Sequence, residues 1–208
     1  MKTLELFNVS PVVPVVVLEK AEDAVALAEA LLEGGIGIME ITLRSDAALA
    51  SIEAIAKAVP EMQVGAGTVL GADDLLRVRD AGGGFSFSPG ISPELLEVSA
   101  QECITFIPGV ATASEVMAAI NAGITGCKLF PATAVGGLDL LKGFAGPFPD
   151  MRFCPTGGIH PGNMKGFLAL PNVACVGGSW IVPKTAVSSG EFATVTELCR
   201  EALAKAQD

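Results

Sequence analysis

The sequence predicts an α/β fold, a single (β/α)8 TIM barrel with an N-terminal helical segment. Three observations support this prediction. Short β-rich runs alternate with Ala- and Leu-rich stretches of helical periodicity along the whole chain. The runs are almost continuously apolar, which is typical of parallel strands that are covered on both faces. Eight such runs recur at a spacing of roughly 20 residues, and eight parallel βα units close into a barrel.

Each predicted element is a local pattern bounded by glycine, proline or polar residues. The predicted strands are Val12–Val17, Gly37–Ile41, Gln63–Ala66, Phe85–Ser88, Ile104–Ile107, Gly126–Phe130, Met151–Cys154 and Val173–Val176. The predicted helices include Glu22–Glu33, Ala47–Val59, Ala72–Ala81, Pro93–Ala100, Ala113–Asn121, Gly162–Leu170 and the closing segment Glu191–Lys205. An open doubly wound sheet is the alternative fold. It would require a G-x-G-x-x-G turn after the first strand, and residues 18–21 do not form one.

Composition limits the domain organisation and the kind of partner. The 208 residues are 50% hydrophobic and fit one catalytic domain spanning positions 1–208. No run of about 18 uninterrupted apolar residues occurs, so no membrane span is predicted. The net charge of −10 disfavours nucleic acids and anionic membranes as partners.

The metal-ligating and redox-active residues are few. The five cysteines form no C-x-x-C pair, and three of them lie in β-like apolar runs, which indicates small core residues of a cytoplasmic protein in a reducing compartment. His160 is the only histidine, which excludes a zinc site built from several histidines but leaves a carboxylate-bound Mg²⁺ open.

Lys128 lies inside an apolar strand, in the run Gly126-Cys-Lys-Leu-Phe-Pro131. A lysine is almost never fully buried without a partner or a function. Apolar neighbours favour the neutral amine, which is a nucleophile that forms Schiff bases with carbonyl groups. On this segment alone, a strand-end lysine whose ammonium reaches water is an equally good interpretation.

The carboxyl ends of the other strands help to decide between these two interpretations of Lys128, because the active sites of such barrels lie at that face. Glu40 is flanked by Ile38, Met39 and Ile41 on the second strand. Burial favours the neutral carboxyl group, which suits a general acid/base, and a nearby Lys128 would titrate with it as a coupled pair. A purely structural ion pair between the two is the alternative.

Two further polar residues follow the second and third strands. Arg44 comes four residues after Glu40, and its planar guanidinium suits bidentate binding of a substrate carboxylate. A surface arginine at a helix start is the alternative interpretation. Thr68 follows the third strand, where its hydroxyl either donates to the same carboxylate or caps the helix that begins near Gly71.

Paired glycines follow the seventh and eighth strands and predict a phosphate site. The two loops are Thr156-Gly-Gly158 and Gly177-Gly-Ser179. Barrels frequently bind phosphate with the loops after these two strands, through backbone N–H groups that glycines leave accessible. His160 is predicted to be a helix cap or an exposed residue, and Trp180 is predicted to pack at the last loop without a chemical role.

Seven motifs occur in order along almost the whole chain. They are Pro11-Val-Val-Pro14-Val, Glu40-Ile-Thr-Leu-Arg44, Val64-Gly-Ala-Gly-Thr68-Val, Ser88-Pro89-Gly90, Lys128-Leu-Phe-Pro131-Ala, Cys154-Pro-Thr-Gly-Gly-Ile159 and Gly177-Gly-Ser-Trp180. Together they resemble the class I 2-keto-3-deoxy-6-phosphogluconate (KDPG) aldolases of the KHG/KDPG aldolase family.

The resemblance implies a homotrimeric, metal-independent lyase of the Entner–Doudoroff pathway, with no cofactor. Such an enzyme would cleave KDPG into pyruvate and D-glyceraldehyde 3-phosphate. Lys128 would form the Schiff base, and Glu40 would accept and donate protons. The resemblance further implies the substrate-binding residues Arg44, Thr68, Pro89, Phe130 and Thr156, and the phosphate-binding residues Gly157, Gly158, Gly178 and Ser179.

Two positions depart from the pattern of the family. Thr133 stands where glutamate is frequent, and His160 stands where serine is common. Both positions lie away from the implied catalytic set, so they bear on substrate preference and leave the reaction class intact. The open alternatives are the same chemistry on 4-hydroxy-2-oxoglutarate or on the 6-phosphogalactonate epimer, and a non-catalytic barrel that binds a phosphorylated sugar acid.

Overall fold

The computed structural model describes residues 2–207, in which short strands alternate with helices. The strands, β1 to β9, are Val12–Val16, Ile38–Thr42, Gln63–Gly67, Ser86–Phe87, Phe106–Ile107, Gly109–Val110, Gly126–Leu129, Arg152–Pro155 and Val176–Gly178. The helices, α1 to α10, are Thr3–Phe7, Ala24–Glu33, Ala48–Ala58, Ala72–Asp80, Pro93–Gln101, Ala113–Asn121, Gly137–Ala145, Met164–Leu168, Lys184–Ser189 and Phe192–Gln207. A 3-10 turn at Ala21–Asp23 precedes α2.

The strands form two parallel sheets around one apolar core. Six strands pair in the order β5-β4-β3-β2-β1-β9, and three pair in the order β6-β7-β8. Glu40 on β2 contacts Lys128 on β7, so the larger sheet curls around the core and faces the smaller one. The α/β class and the parallel pairing predicted from the continuous apolar runs are therefore confirmed.

The predicted bounds of the fifth strand are wrong. Only Phe106–Ile107 of that run pairs as β5, and pairing resumes after Pro108 as β6. Proline has no N–H group to donate to a strand ladder, which interrupts the pairing. At Gly109 a Cβ would overlap the backbone of Pro89, so a glycine is required for the close approach of these two loops.

The predicted bounds of the eighth strand are also wrong, because the continuous strand β9 begins only at Val176. Val173 makes an isolated bridge to Phe153 and no continuous ladder. The preceding Asn172 is buried and its side-chain amide donates to the carbonyl of Leu141 at 2.8 Å. This side chain anchors the turn to α7, so the strand starts after the anchored segment.

Helix α1 is the expected N-terminal segment, and it covers the amino-terminal ends of the strands. Leu6 and Phe7 are buried, and the Phe7 ring stacks against Phe87 with 6.5 Å between the ring centroids. A Cβ on Gly126, at the start of β7, would lie 2.8 Å from the Phe7 ring. Helix α1 therefore closes the amino-terminal end of the core. Within residues 2–207, no helix has the length and apolarity needed to cross a membrane.

Candidate active site

Lys128 lies on β7, and its side chain enters the space between the two sheets. The residue is 5% exposed, and its Nζ donates to Glu40 Oε1 at 2.9 Å and to Oε2 at 3.2 Å. The rings of Phe87 and Phe130 have their centroids 5.1 and 5.4 Å from Nζ, within the range of cation–π contacts. The interpretation in which this ammonium reaches water is therefore wrong.

Glu40 lies on β2 and is 1% exposed. Gly67 on the neighbouring β3 leaves the room for it, because a Cβ there would overlap the Glu40 carboxylate. Gly67 is thus required in the third strand because any larger residue would displace the Glu40 carboxylate. At 2.9 Å the Lys128 and Glu40 side chains are close enough to exchange a proton directly. The pair supplies a buried amine together with a proton acceptor for its activation.

A small cavity of about 90 Å³ opens above this pair at the carboxyl-terminal face. It is far below the roughly 300–1,000 Å³ of drug-sized ligand sites, so it fits a small fragment. Larger surface depressions occur elsewhere, but the buried charged pair lies in this one. The cavity is lined by Val15, Glu40, Thr42, Arg44, Thr68, Pro89, Lys128, Phe130 and Thr156.

Arg44 reaches this cavity from the loop after β2. Its Nε donates to Thr42 Oγ1 at 3.2 Å, and the Thr42 hydroxyl donates to the carbonyl of Val16 at 3.0 Å. Arg44 is exposed, as a surface arginine would be, but it also lines the cavity. An arginine so placed presents a fixed positive charge to an anionic ligand.

Thr68 stands at the carboxyl end of β3 in a left-handed backbone conformation with φ of 61°. This conformation is uncommon for a β-branched residue and is concentrated at functional sites. The predicted alternative, a cap for the next helix, does not occur, because Gly71 is the N-cap of α4 and no side chain caps it. Thr68 therefore belongs with the residues that line the cavity.

The two glycine loops lie side by side at the ends of β8 and β9. Thr156 pairs with Gly177 through a parallel bridge, and a Cβ on Gly177 would overlap the Thr156 side chain. Gly157 and Gly158 have φ of 99° and 77°, so both hold a conformation that favours glycine. Thr156 links these loops to the cavity, which the glycines themselves do not line.

The remaining predicted residues frame these loops. Ser179 is exposed at the end of β9, and Trp180 packs over Gly178, where a Cβ would overlap the indole ring. His160 is exposed and structures its own loop, because its Nδ1 accepts from Gly162 N at 3.1 Å. The packing role predicted for Trp180 and the exposed position predicted for His160 are both confirmed.

The chain matches known proteins along nearly its whole length. The sequence profile described as "Aldolase: KDPG and KHG aldolase" matches residues 4–198. The KHG/KDPG aldolase of Escherichia coli K12 is 48% identical over 198 residues, which cover 95% of this chain and 93% of that protein. The chain belongs to the KDPG and KHG aldolase family.

Solved structures of this family superpose closely on the chain. KDPG aldolase from Legionella pneumophila has a TM-score of 0.96 at 44% identity, with 98% of each chain covered. That crystal structure holds pyruvate captured at low pH as a covalent carbinolamine intermediate. The aldolase of Zymomonas mobilis ZM4, solved with 3-phosphoglycerate, has a TM-score of 0.91 at 42% identity and covers 98% of this chain and 96% of its own.

Three residues at this aldolase-family site were missed by sequence reasoning, namely Val15, Thr42 and Phe87. Thr42 stands two residues after Glu40 on the same strand, and side chains two apart share one face of a strand. That spacing was a usable signal. Val15 and Phe87 are apolar, and nothing in their own chemistry separates them from the rest of the core.

Two buried thiols near the site, those of Cys127 and Cys175, are held in their neutral form. Burial raises the pKa of Cys175 well above its ordinary value, and its hydrogen bond with Cys154 acts in the same direction. Burial also raises the pKa of Cys127, next to the lysine, to about 12. Neutral thiols are poor nucleophiles, so neither Cys127 nor Cys175 competes with Lys128 as a nucleophile. Among residues 2–207, no three His, Cys, Asp or Glu side chains gather as a metal site would require.

Proposed function

We propose that this protein is a Schiff-base aldolase that cleaves KDPG into pyruvate and D-glyceraldehyde 3-phosphate. The single observation that carries the proposal is the buried contact between Lys128 and Glu40, beneath a small cavity at the open end of the strands. A site that only binds has no need of a buried amine with a proton acceptor 2.9 Å away. The covalent pyruvate in the Legionella relative supports the same chemistry.

The first half of the reaction forms the imine. Lys128 passes a proton to Glu40, and the resulting neutral amine attacks the C2 carbonyl of the substrate. Glu40 returns this proton to the C2 oxygen as the carbinolamine forms, then takes a second proton from the nitrogen and donates it to the departing water. The protonated imine that results is an electron sink next to the C3–C4 bond.

The second half breaks the carbon–carbon bond. Glu40, again a carboxylate, removes the proton of the C4 hydroxyl group, and the C3–C4 electron pair moves toward the imine. D-Glyceraldehyde 3-phosphate leaves and an enamine of pyruvate remains on Lys128. Protonation at C3 by Glu40 and hydrolysis of the imine release pyruvate. One carboxyl group thus serves both as base and as acid in turn.

Substrate binding divides between the cavity and the glycine loops. We assign the pyruvoyl carboxylate to Arg44 and Thr68, with Pro89 and Phe130 as walls and Thr156 facing the hydroxyl groups. The phosphate is assigned to the loops after β8 and β9. Its proposed ligands are the backbone of Gly157, Gly158 and Gly178 and the hydroxyl group of Ser179.

We further propose that the strands form one closed (β/α)8 barrel in a single domain spanning residues 1–208. Two contacts support closure. The bridge between Thr156 and Gly177 connects the smaller sheet to β9, and Pro108 alone separates β5 from β6.

A homotrimer and a cytoplasmic location complete the proposal. The exposed Met117 and Ile120 on α6 offer apolar surface for a partner subunit, and sedimentation velocity would measure the number of chains.

The proposed cytoplasmic location is supported by the five cysteines, which are free, as is typical of a reducing compartment.

Borohydride trapping tests the proposed function directly. The protein is incubated with pyruvate and sodium borohydride, digested, and mapped by mass spectrometry. We expect a stable adduct on Lys128 and on none of the other seven lysines, since only Lys128 shares the cavity with Glu40 and Arg44. The Lys128→Met variant should lose both the adduct and the cleavage of KDPG. An unmodified Lys128 would defeat the proposal and leave a binding protein as the remaining function.

A second candidate substrate is unphosphorylated 4-hydroxy-2-oxoglutarate, which the name of the Escherichia coli relative favours. The ratio of the kcat/KM values on KDPG and on 4-hydroxy-2-oxoglutarate separates the two. If the loops after β8 and β9 bind phosphate, Ser179→Ala should lower this ratio and leave the unphosphorylated substrate unaffected.

A further inference from the structure

Thr42 is a buried hydroxyl residue that the proposed reaction leaves without a role. It is 2% exposed and lines the cavity two residues after Glu40 on β2. Its hydroxyl group makes two hydrogen bonds, one to the carbonyl of Val16 at 3.0 Å and one from Arg44 Nε at 3.2 Å.

The two bonds are directional, because a hydroxyl group has one proton and two lone pairs. The proton is committed to the carbonyl of Val16 on β1, so the lone pairs face the guanidinium. The Thr42 hydroxyl can therefore act only as the acceptor for Arg44. Val16 and Thr42 both belong to the curled sheet. The hydrogen bond to Thr42 therefore attaches Arg44, which lies in a loop, to the rigid part of the fold.

Arg44 depends on this contact for its orientation. Among residues 2–207, Thr42 is the one side chain that bonds the guanidinium, and no carboxylate pairs with it. The bond occupies Nε and leaves both Nη groups of an exposed, long side chain available at the cavity. A carboxylate that binds two of the guanidinium N–H groups requires this edge to be held in place before the ligand arrives.

We propose that Thr42 is a positioning residue that orients Arg44 toward the carboxylate of the keto acid. The inference rests on the proposed function, in which Arg44 binds that carboxylate. Without the hydroxyl group, Arg44 would keep its charge but lose its anchor. The affinity for 2-keto acids would then fall, and the chemistry at Lys128 would proceed once the site is saturated.

The test compares Thr42→Val with Thr42→Ser in borohydride trapping at increasing pyruvate concentration. Valine keeps the shape of the side chain and removes the hydroxyl group. The pyruvate concentration for half-maximal trapping should therefore rise about tenfold, which corresponds to the loss of one hydrogen bond to a charged group. The maximal trapping rate should stay close to that of the unmodified protein. Serine keeps the hydroxyl group and should restore the half-maximal concentration.

A double-mutant cycle separates positioning from a structural effect of the bond to Val16. In the Arg44→Met background, adding Thr42→Val should produce no further rise in the half-maximal concentration. The matched control is Thr196→Val, which removes another buried hydroxyl group that donates to a carbonyl, that of Ala30 at 3.0 Å, away from the cavity. Pyruvate binding should not change in this control.

Several outcomes would overturn the inference while leaving the aldolase intact. They are an unchanged half-maximal concentration in Thr42→Val, an equal rise in the Arg44→Met background, and a failure of serine to restore binding. If the valine variant does not fold, Thr42→Ala takes its place in the cycle with the same expectations. A failure of the unmodified protein to form any adduct would instead overturn the proposed function.

Discussion

At the scale of single residues, the buried pair of Lys128 and Glu40 is the feature that requires explanation. Both side chains are almost fully buried, at 5% and 1% exposure, and removing charges from water is unfavourable. Well-packed apolar residues of similar volume are often at least as stabilising as a buried ion pair. The pair is therefore poorly explained by stability, and the proton transfer that its geometry allows gives a better reason for its presence.

The first prediction concerns the proton acceptor. Glu40→Gln keeps the shape of the side chain but removes its ability to take a proton, so kcat for KDPG cleavage should fall by about 10²–10⁴-fold. Pyruvate release coupled to lactate dehydrogenase measures the rate. The control is Glu53→Gln, an exposed carboxylate whose pKa is lowered by its hydrogen bond with Lys57. A Glu40→Gln variant with the turnover of the control would contradict the assigned role.

Prediction of single residues from the sequence succeeded where a reactive side chain stands at an unusual position in the chain. A lysine and a glutamate inside apolar strands are conspicuous, and the rule that polar residues gather at strand ends brings them to one cavity. The sequence could not indicate the hydrogen bond from Arg44 to Thr42, because it depends on the rotamers of both side chains. It also could not single out Phe87, whose ring contacts the ammonium but whose chemistry is that of any core residue.

At the scale of elements, periodicity located the strands and most of the longer helices, although not the nine-residue α7, and left some of their ends undetermined. Apolar runs continue past the paired residues where proline or an anchored side chain interrupts the ladder, as at Pro108 and Asn172. The six-residue helix α9 was missed because a segment of fewer than two turns shows no periodicity. Helix α6 begins with a capping box formed by Thr112 and Glu115, a pattern that is visible in the sequence.

The turn after β7 and the loop after β8 are joined into one unit. The backbone N–H groups of Ala132 and Thr133 donate to the carbonyls of Thr156 and Gly157 at 2.8 and 3.1 Å. The Thr133 hydroxyl also donates to the Gly157 carbonyl at 3.3 Å. The proposed phosphate loop is thus fixed to the strand that carries Lys128, which keeps the two ends of the substrate site in register.

The second prediction tests this unit at Gly158. Its φ is 77°, and a Cβ there would overlap the Thr133 side chain. Gly158→Ala should therefore displace the loop and raise KM for KDPG, while KM for unphosphorylated 4-hydroxy-2-oxoglutarate changes little. Steady-state kinetics on both substrates measure the difference. An equal rise for both substrates would show that the loop does not act on the phosphate.

Gly143 provides the matched control for this substitution. It lies within α7 and is exposed, and a Cβ added at this position would meet no neighbouring atom within 4 Å. Gly143→Ala should leave both KM values unchanged and stabilise the protein by about 0.5–1 kcal/mol, since alanine favours the helix. Urea unfolding checks the gain in stability.

At the scale of the whole molecule, charge and shape restrict what can bind. The net charge of −10 repels anionic substrates from most of the surface. The proposed binding of a phosphorylated keto acid then relies on local groups, for which we propose Arg44, Lys128 and the backbone N–H groups of the glycine loops. These groups share the carboxyl-terminal face, while helix α1 covers the other end of the strands.

Two aromatic rings beneath the pair of Lys128 and Glu40 connect helix α1 to Lys128. Phe7 stacks on Phe87, and the Phe87 ring lies 5.1 Å from Lys128 Nζ. The fold therefore uses its N-terminal helix both to close the core and to support the wall against which the ammonium packs. A substitution of Phe7 should therefore change both the stability of the protein and its activity.

The third prediction is that Phe7→Ala destabilises the protein by about 3–5 kcal/mol, the usual effect of removing a buried aromatic ring. It should also slow the trapping of pyruvate at Lys128, because Phe87 loses its support. Leu4→Ala, on the same helix but 39% exposed, is the control and should change stability by less than about 0.5 kcal/mol. Urea unfolding and trapping rates measure both effects. If the two variants unfolded at the same urea concentration, α1 would be a surface addition and the active site would not depend on it.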